Sequence, residues 1–287
     1  MDDHLLNLRK LPFSITNKIG LLTVGREGLD PGSFMITKDF IGHISPGKLY
    51  KLVAIDAEME EGTIHLPNYI TLVECDQKVE NPEPVNKVNR LNALPIPTPP
   101  AHGKLTGSWN QCLKYAKNNA NILGGLGTFT TAQEAIDVPV ITATDEALAF
   151  YGAYLVKIGQ TLIFESKQDL PLTIMAVGHS YIDNYIMQDG LGDGEYIEYH
   201  NEPHFWLPLL LQSKGYILLG RKIENEYFLT GFKIPLNCGI YASPYVVHSD
   251  AFLIGEFLVM YTVAEEYSTV LIENETHQAI KINFVDE

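Results

Sequence analysis

Nine histidines are spread over 287 residues, and two of them, His200 and His204, stand four apart in "EYIEYHNEPHFWLPL", residues 195–209. If residues 198–206 run extended, side chains alternate, and Glu198, His200, Glu202, His204 and Trp206 share one face. Two imidazoles and two carboxylates beside an apolar run are costly to bury unless they meet a metal ion, each other or a polar ligand. Imidazole and carboxylate together suit a divalent ion, and the same groups can move protons. Pro203 disturbs this picture, because a central strand tolerates proline poorly and a bulge would reset the alternation.

A second element lies 44 residues beyond His204, in "GIYASPYVVHSDAF" (239–252), where His248 follows a glycine- and proline-containing turn and precedes Asp250. Read alone, "HSD" is a turn in which Asp250 caps a backbone amide. The pair "EPHFWLPL" and "GIYASPYVVHSD" resembles the two motifs of the cupin superfamily, over about residues 160–285. By position His204 matches the first histidine of the first motif and His248 the histidine of the second. The chain departs from the pattern at three points. Trp206 stands where the second histidine belongs, no glutamate occupies 208–212 (Gln212 is the nearest polar residue), and the turn from Pro244 to His248 is one residue short and lacks its glycine.

The resemblance implies a jelly-roll barrel with a metal in its mouth, and an isomerase, epimerase, lyase or dioxygenase acting on a small polar or carbohydrate-like substrate. It makes His204 and His248 metal ligands or acid/base groups, with Glu202 or His200 completing the set and Tyr241 positioning substrate. The metal set taken forward is His204, His248 and Glu202, the catalytic set His204, His248 and Tyr241, and the substrate-binding set Trp206, His200 and Glu202. The cofactor would be one divalent ion (Fe, Mn, Ni or Zn), with a metal-free site as the equal alternative. Trp206 offers a flat surface on which a sugar or other planar ligand could stack. Two other functions fit the same residues: a non-catalytic cupin-like protein that binds a small ligand, and a scaffold or effector protein.

The elements that must position these residues are mostly strands. After Gly159, runs such as "QTLIFES", "EYIEYH", "GYILLGRKI", "EYFLTGFKI" and "STVLIEN" recur about every ten residues, separated by turn signals. Before it, "GLLTVGR", "KLYKLVAID" and "TIHLPNYITLVEC" are strand-like, and residues 18–80 allow reading as a reduced copy of the later barrel. Helix is expected over "GSWNQCLKYAKNNANIL" (107–123), capped by Ser108, and in short pieces at "TAQEAI" and "TDEALAFYGAYLV". Six prolines in residues 80–104 predict an extended connector without regular structure. The fold class is therefore mainly β: a β-rich segment over 1–80, a Pro-rich connector over 81–104, and a cupin-like barrel with a few short helices over 105–287.

Composition narrows the partners. A formal charge of −15 opposes binding to nucleic acid or to an anionic membrane. No apolar run of about 18 residues is present for a spanning helix. The opening "MDDHLLNLRK" has acids where a secretory signal would be basic, so a cytoplasmic location is expected, with specialised secretion left open. The cysteines, Cys75, Cys112 and Cys238, are odd in number and widely spaced, suiting reduced thiols rather than a disulfide framework or a zinc cluster. "GGLG" (124–127) lacks the lysine of a phosphate loop, and "LGDGEYIE" lacks the acidic spacing of a calcium loop. The expected partner is a small molecule, with a homodimer allowed for.

Overall fold

The alternating strands form three stacked sheets in the computed structural model, which describes residues 32, 35–55, 69–75, 83–92, 97–115, 126–260 and 264–286. The middle sheet runs β1 (Met35–Ile44), β10 (Leu170–Val177), β18 (Leu253–Met260), β12 (His204–Pro208), β16 (Cys238–Ala242) and β8 (Ala153–Lys157). The short β13 (Lys214–Gly215) adds to β18. The largest sheet begins β20 (Ile282–Asp286), β7 (Ile136–Thr142), β15 (Glu226–Lys233), β14 (Ile217–Ile223) and β17 (Val247–Ser249). It continues through β11 (Tyr196–His200), β19 (Tyr267–Asn274), β6 (Leu126–Thr131) and β5 (Ser108–Tyr115), with β4 (Gly103–Thr106) beside β15. A small third sheet joins β3 (Tyr69–Glu74), β2 (Leu49–Ile55) and β9 (Thr161–Ile163).

Two cores lie between these layers, and residue parity in the middle sheet separates them. Odd residues of β10 and even residues of β12, among them Met175, Val177 and Trp206, face the largest sheet and join Tyr196, Leu218, Leu229 and Val270. The opposite parity, including Leu172, Phe205, Leu207 and Tyr241, packs on Leu52, Ile70 and Leu162 of the third sheet. The protein is mainly β, as expected, and no sheet among the described residues closes into a barrel.

Several local expectations fail. The stretch expected to be helical from Gly107 starts as β5, a strand paired with β6. Tertiary context overrides the helical spacing there: Trp109 packs on Phe129 and Tyr227 and donates from Nε1 to Ser268 Oγ at 2.9 Å. Residues 116–123 of that helix, like the strand expected at "GLLTVGR", lie outside the described residues. "TAQEAI" is not helical; it carries the end of β6 and the start of β7.

The connector holds a helix, α1 (Val85–Asn92), where extended chain was expected. Its interior is free of proline, and Pro84 stands at the N-terminal turn, where proline's missing N–H costs nothing. Pro84 O accepts from Lys87 N and Val88 N at 2.9 and 3.1 Å. Asn86 moors the helix through Nδ2 to Ile163 O at 2.6 Å and Oδ1 from Ile163 N at 3.3 Å. Arg90 bonds Tyr154 Oη, Glu165 and Ser243. One helix starts as read and is shorter than its stretch: α2 (Asp145–Tyr151), with Thr144 Oγ1 accepting from Ala147 N at 3.2 Å and Gly152 closing it at φ 75°, after which the chain continues as β8.

Glu195, buried just before β11, fastens the edge strand β20. Its Oε2 accepts from Ile282 N at 2.6 Å, while Oε1 meets no partner among the described residues. Burial pushes its carboxyl from 4.5 up to about 8. Between those two values the folded chain binds more protons than the unfolded one, so this group costs stability as pH rises through the interval. Glu195→Gln mimics the protonated acid and keeps the acceptor. Thermal unfolding should show it close to wild type at pH 5 and more stable at pH 8, by on the order of 2 kcal/mol. An equal difference at both pH values would show that the carboxyl ionises normally.

Candidate functional site

The two histidines four residues apart do not share a strand. β11 ends at His200 in the largest sheet and β12 begins at His204 in the middle sheet; Asn201–Pro203 carries the chain across. Pro203 fits this crossing, where no ladder hydrogen bond is needed from it. Because the two sheets face each other, His200 and His204 meet across the interface rather than along one face. β17 completes the group: Glu198 of β11 pairs in register with His248.

The three imidazoles converge. Ring centroids are 5.6 Å apart for His200 and His204, 4.9 Å for His200 and His248, and 5.3 Å for His204 and His248. One nitrogen from each ring can be chosen so that all three lie within 4.8 Å of one another. All three residues are buried, His248 the most deeply at 1% exposure. Three buried imidazoles at this separation are close enough to hold a metal ion.

Backbone partners fix which nitrogens are free. His200 Nδ1 lies 2.6 Å from Glu202 O and His248 Nδ1 2.9 Å from Val246 O. A carbonyl only accepts, so each Nδ1 carries the proton; His200 Nε2 is buried without a hydrogen-bond partner among the described residues, and His248 Nε2 faces Glu198. His204 is arranged differently. Phe205 N–H donates to its Nδ1 at 3.1 Å, which leaves the proton of the neutral ring on Nε2. To offer Nε2 to an ion, His204 must move that proton to Nδ1 and give up the Phe205 bond.

Glu198 supplies the charge beside the cluster. Its Oε1 approaches His248 Nε2 at 3.5 Å, an ion-pair distance, and its Oε2 accepts from Thr269 Oγ1 at 2.8 Å. Burial alone would lower the His248 basicity and raise the Glu198 carboxyl, but each outweighs that for the other. His248 is raised and Glu198 lowered, so both favour the charged form. His200 and His204 are depressed, first by burial and then by the neighbouring imidazoles, His200 to about 4.

The other residues singled out from sequence sit as follows. Glu202 is buried in the crossing turn beside Ser166 and Lys167, and is not part of the three-histidine group. Trp206 is fully buried, and one face is covered by His204, whose ring is stacked on it at 4.1 Å and 8°. Tyr241 pairs with Phe205 and lies in the second core, donating to Glu165 Oε2 at 3.1 Å, on the opposite side of the middle sheet from His204. Asp250 does not cap a backbone amide through its side chain. Oδ1 accepts from Tyr196 Oη at 2.9 Å and Oδ2 from Trp206 Nε1 at 3.3 Å. Sequence reasoning placed Glu198 on the right face but gave it no role; its register partner His248 could not be read from spacing.

The pH behaviour of the rings is directly observable. In metal-free protein followed by histidine ring NMR, His200 should titrate near pH 4 and His248 above 6.5. His200 therefore withdraws stability as pH falls from about 6.5 toward 4, since the unfolded chain takes up the proton first. A His200 midpoint near 6.5 would mean that the ring is solvated.

No protein-family model, no curated protein and no solved structure matches the chain, so the site is read from its own chemistry.

Proposed function

We propose that His200, His204 and His248 form the metal centre of an enzyme acting on a small polar or carbohydrate-like substrate, in a cupin-like arrangement. The observation that carries this is the convergence of three buried imidazoles, with His200 Nε2 left without a hydrogen-bond partner among the described residues and the His200 and His248 rings each aimed by a carbonyl on Nδ1. A buried polar atom without a partner costs about 1–3 kcal/mol, and a metal ion removes that cost. Ring nitrogens anchored to carbonyls are the usual outer support of metal-binding histidines.

An all-imidazole set suits zinc, iron or nickel better than manganese. A bound ion would supply Lewis acidity toward a carbonyl or hydroxyl of the substrate. The protein's own part is to hold the imidazoles in a dry interface; without an ion, the Glu198–His248 pair holds a proton at His248 Nε2. Taking up an ion through His248 Nε2 would displace a proton from that nitrogen, so affinity should rise with pH. A second reading has one observation in its favour. The Glu198–His248 pair already gives His248 a charged partner without an ion, which suits a metal-free acid–base or ligand-binding site.

Protein purified without chelator and without nickel affinity resin should carry close to one divalent ion per chain by elemental analysis. Metal-stripped protein titrated with Zn²⁺ or Co²⁺ should bind one equivalent. Ala replacements at His200 or His248 should weaken binding by about 100-fold or more, at least the 10–100-fold typical of losing an outer-shell partner. At a free ion concentration of 100 times Kd, wild type should gain about 2.7 kcal/mol in stability. Absence of any bound ion, with equal Tm in Zn²⁺ and in chelator, would sink the metal centre and leave the metal-free reading.

A further inference from the structure

The histidine cluster rests on a second layer made from the same three strands. β11 carries Tyr196 and His200, β12 carries Trp206 and His204, and the chain through β17 carries Asp250 and His248. Each pair is separated by two or four residues, so both members project from the same side of their strand. In the second layer Asp250 is the hub. Its carboxylate takes one hydrogen bond from Tyr196 Oη and one from Trp206 Nε1, at 2.9 and 3.3 Å, and all three residues are buried.

The three histidines are not supported alike. The rings of His200 and His248 are each aimed by an Nδ1 bond to a carbonyl, Glu202 O or Val246 O. The carbonyl anchor is missing at His204, where Nδ1 accepts from Phe205 N instead. The ring lies flat on Trp206, centroids 4.1 Å apart and planes 8° from parallel. A stack resists tilting, so the plane of the His204 ring follows the plane of the indole, while the Phe205 N–H bond limits its turning in that plane. Asp250 is what fixes this platform, through the Trp206 N–H.

We propose that Asp250 is a positioning residue for the cluster: through Trp206 it aims the His204 ring, as the two carbonyls aim the other rings. The carboxylate is not one of the three converging groups; it reaches the His204 ring through the indole, and its charge also favours the protonated form of His248. The burial of a carboxylate in an otherwise apolar and aromatic core is thereby accounted for. A hydrophobic residue there would leave the indole N–H and the Tyr196 hydroxyl without acceptors. The metal consequence rests on the function proposed above; the positioning itself does not.

The test uses the full chain with ¹⁵N-labelled histidine and two variants. Asp250→Asn keeps the size of the hub but turns one acceptor into a donor. Trp206→Phe keeps an aromatic ring but removes the N–H together with part of the stacking surface. In metal-free protein, both should shift or broaden the His204 ring-nitrogen signals while those of His200 stay in place; His248, which contacts Trp206 and feels the Asp250 charge, is not used as the reference. With Co²⁺ as probe, both variants should bind about 10–100-fold more weakly and show an altered visible spectrum, which a general loss of stability would not produce. If Asp250→Asn does not fold, Asp250→Ala, which removes both acceptors without adding a donor and leaves Trp206 in place, decides. His204 signals unchanged from wild type in the folded variants would overturn the proposal. Should wild type bind no Co²⁺ at all, the metal centre falls, and the metal-free His204 signals still decide whether Asp250 aims the ring.

Discussion

Between His200 and His204 the chain leaves one sheet and enters the sheet that faces it, and the site depends on that crossing. Three residues, Asn201–Pro203, span the step. So short a link holds the end of β11 against the start of β12, and with them the two sheets, at a fixed separation. Everything that converges on the cluster then follows from strand register. β17 lies beside β11 with His248 opposite Glu198, while β16 and β18 flank β12 in the middle sheet. Lengthening the crossing would free the two sheets to slide, and the imidazoles would part before either core was lost.

The interface tolerates this polar group because nearly every buried atom in it is answered. Carbonyls take the Nδ1 protons of two rings, Thr269 and His248 accompany Glu198, and Asp250 receives two ring donors. One atom left over lies at the centre, the Nε2 of His200, while others, such as Glu195 Oε1 and Ser249 Oγ, lie apart from it. A folded protein usually keeps such costs few. The convergence of three buried imidazoles on one point is the reason to regard the cluster as a site rather than as packing.

Much of the architecture was legible in the chain. Strand-like runs with turns about every ten residues become the two main sheets, and Thr144 before Asp145 and Glu146 signals α2 and its cap. His204, His248 and the value of His200 as their neighbour were also visible. What one-dimensional patterns hide is which strands pair and which faces meet. Glu198, His200, Glu202, His204 and Trp206 fit one alternation only if no crossing intervenes, and Pro203 was the residue that signalled one. Tyr241 stands close to His248 in sequence, but its pairing with Phe205 turns it toward the other core. Counting prolines in 80–104 obscured α1, because their positions, ahead of and behind a proline-free stretch, favour a helix. Helical spacing in "GSWNQCLKY" yielded to an available partner strand and to the aromatic neighbours of Trp109.

The strand pairings also bear on the order in which the molecule assembles. β1 joins β10, β5 and β6 join β19 and β20 joins β7, each contact linking distant parts of the chain, some in parallel. Such connections form slowly, since long loops must close before any contact rewards them. The segment from β11 to β12 is local and can bring His200 and His204 near each other early. His248 takes its place only when β17 lies between β11 and β14. A chain made as far as β12 carries only two of the three imidazoles, and the third comes 44 residues later, with β17. The three-histidine cluster is thus a property of the assembled sheets rather than of any local stretch of chain.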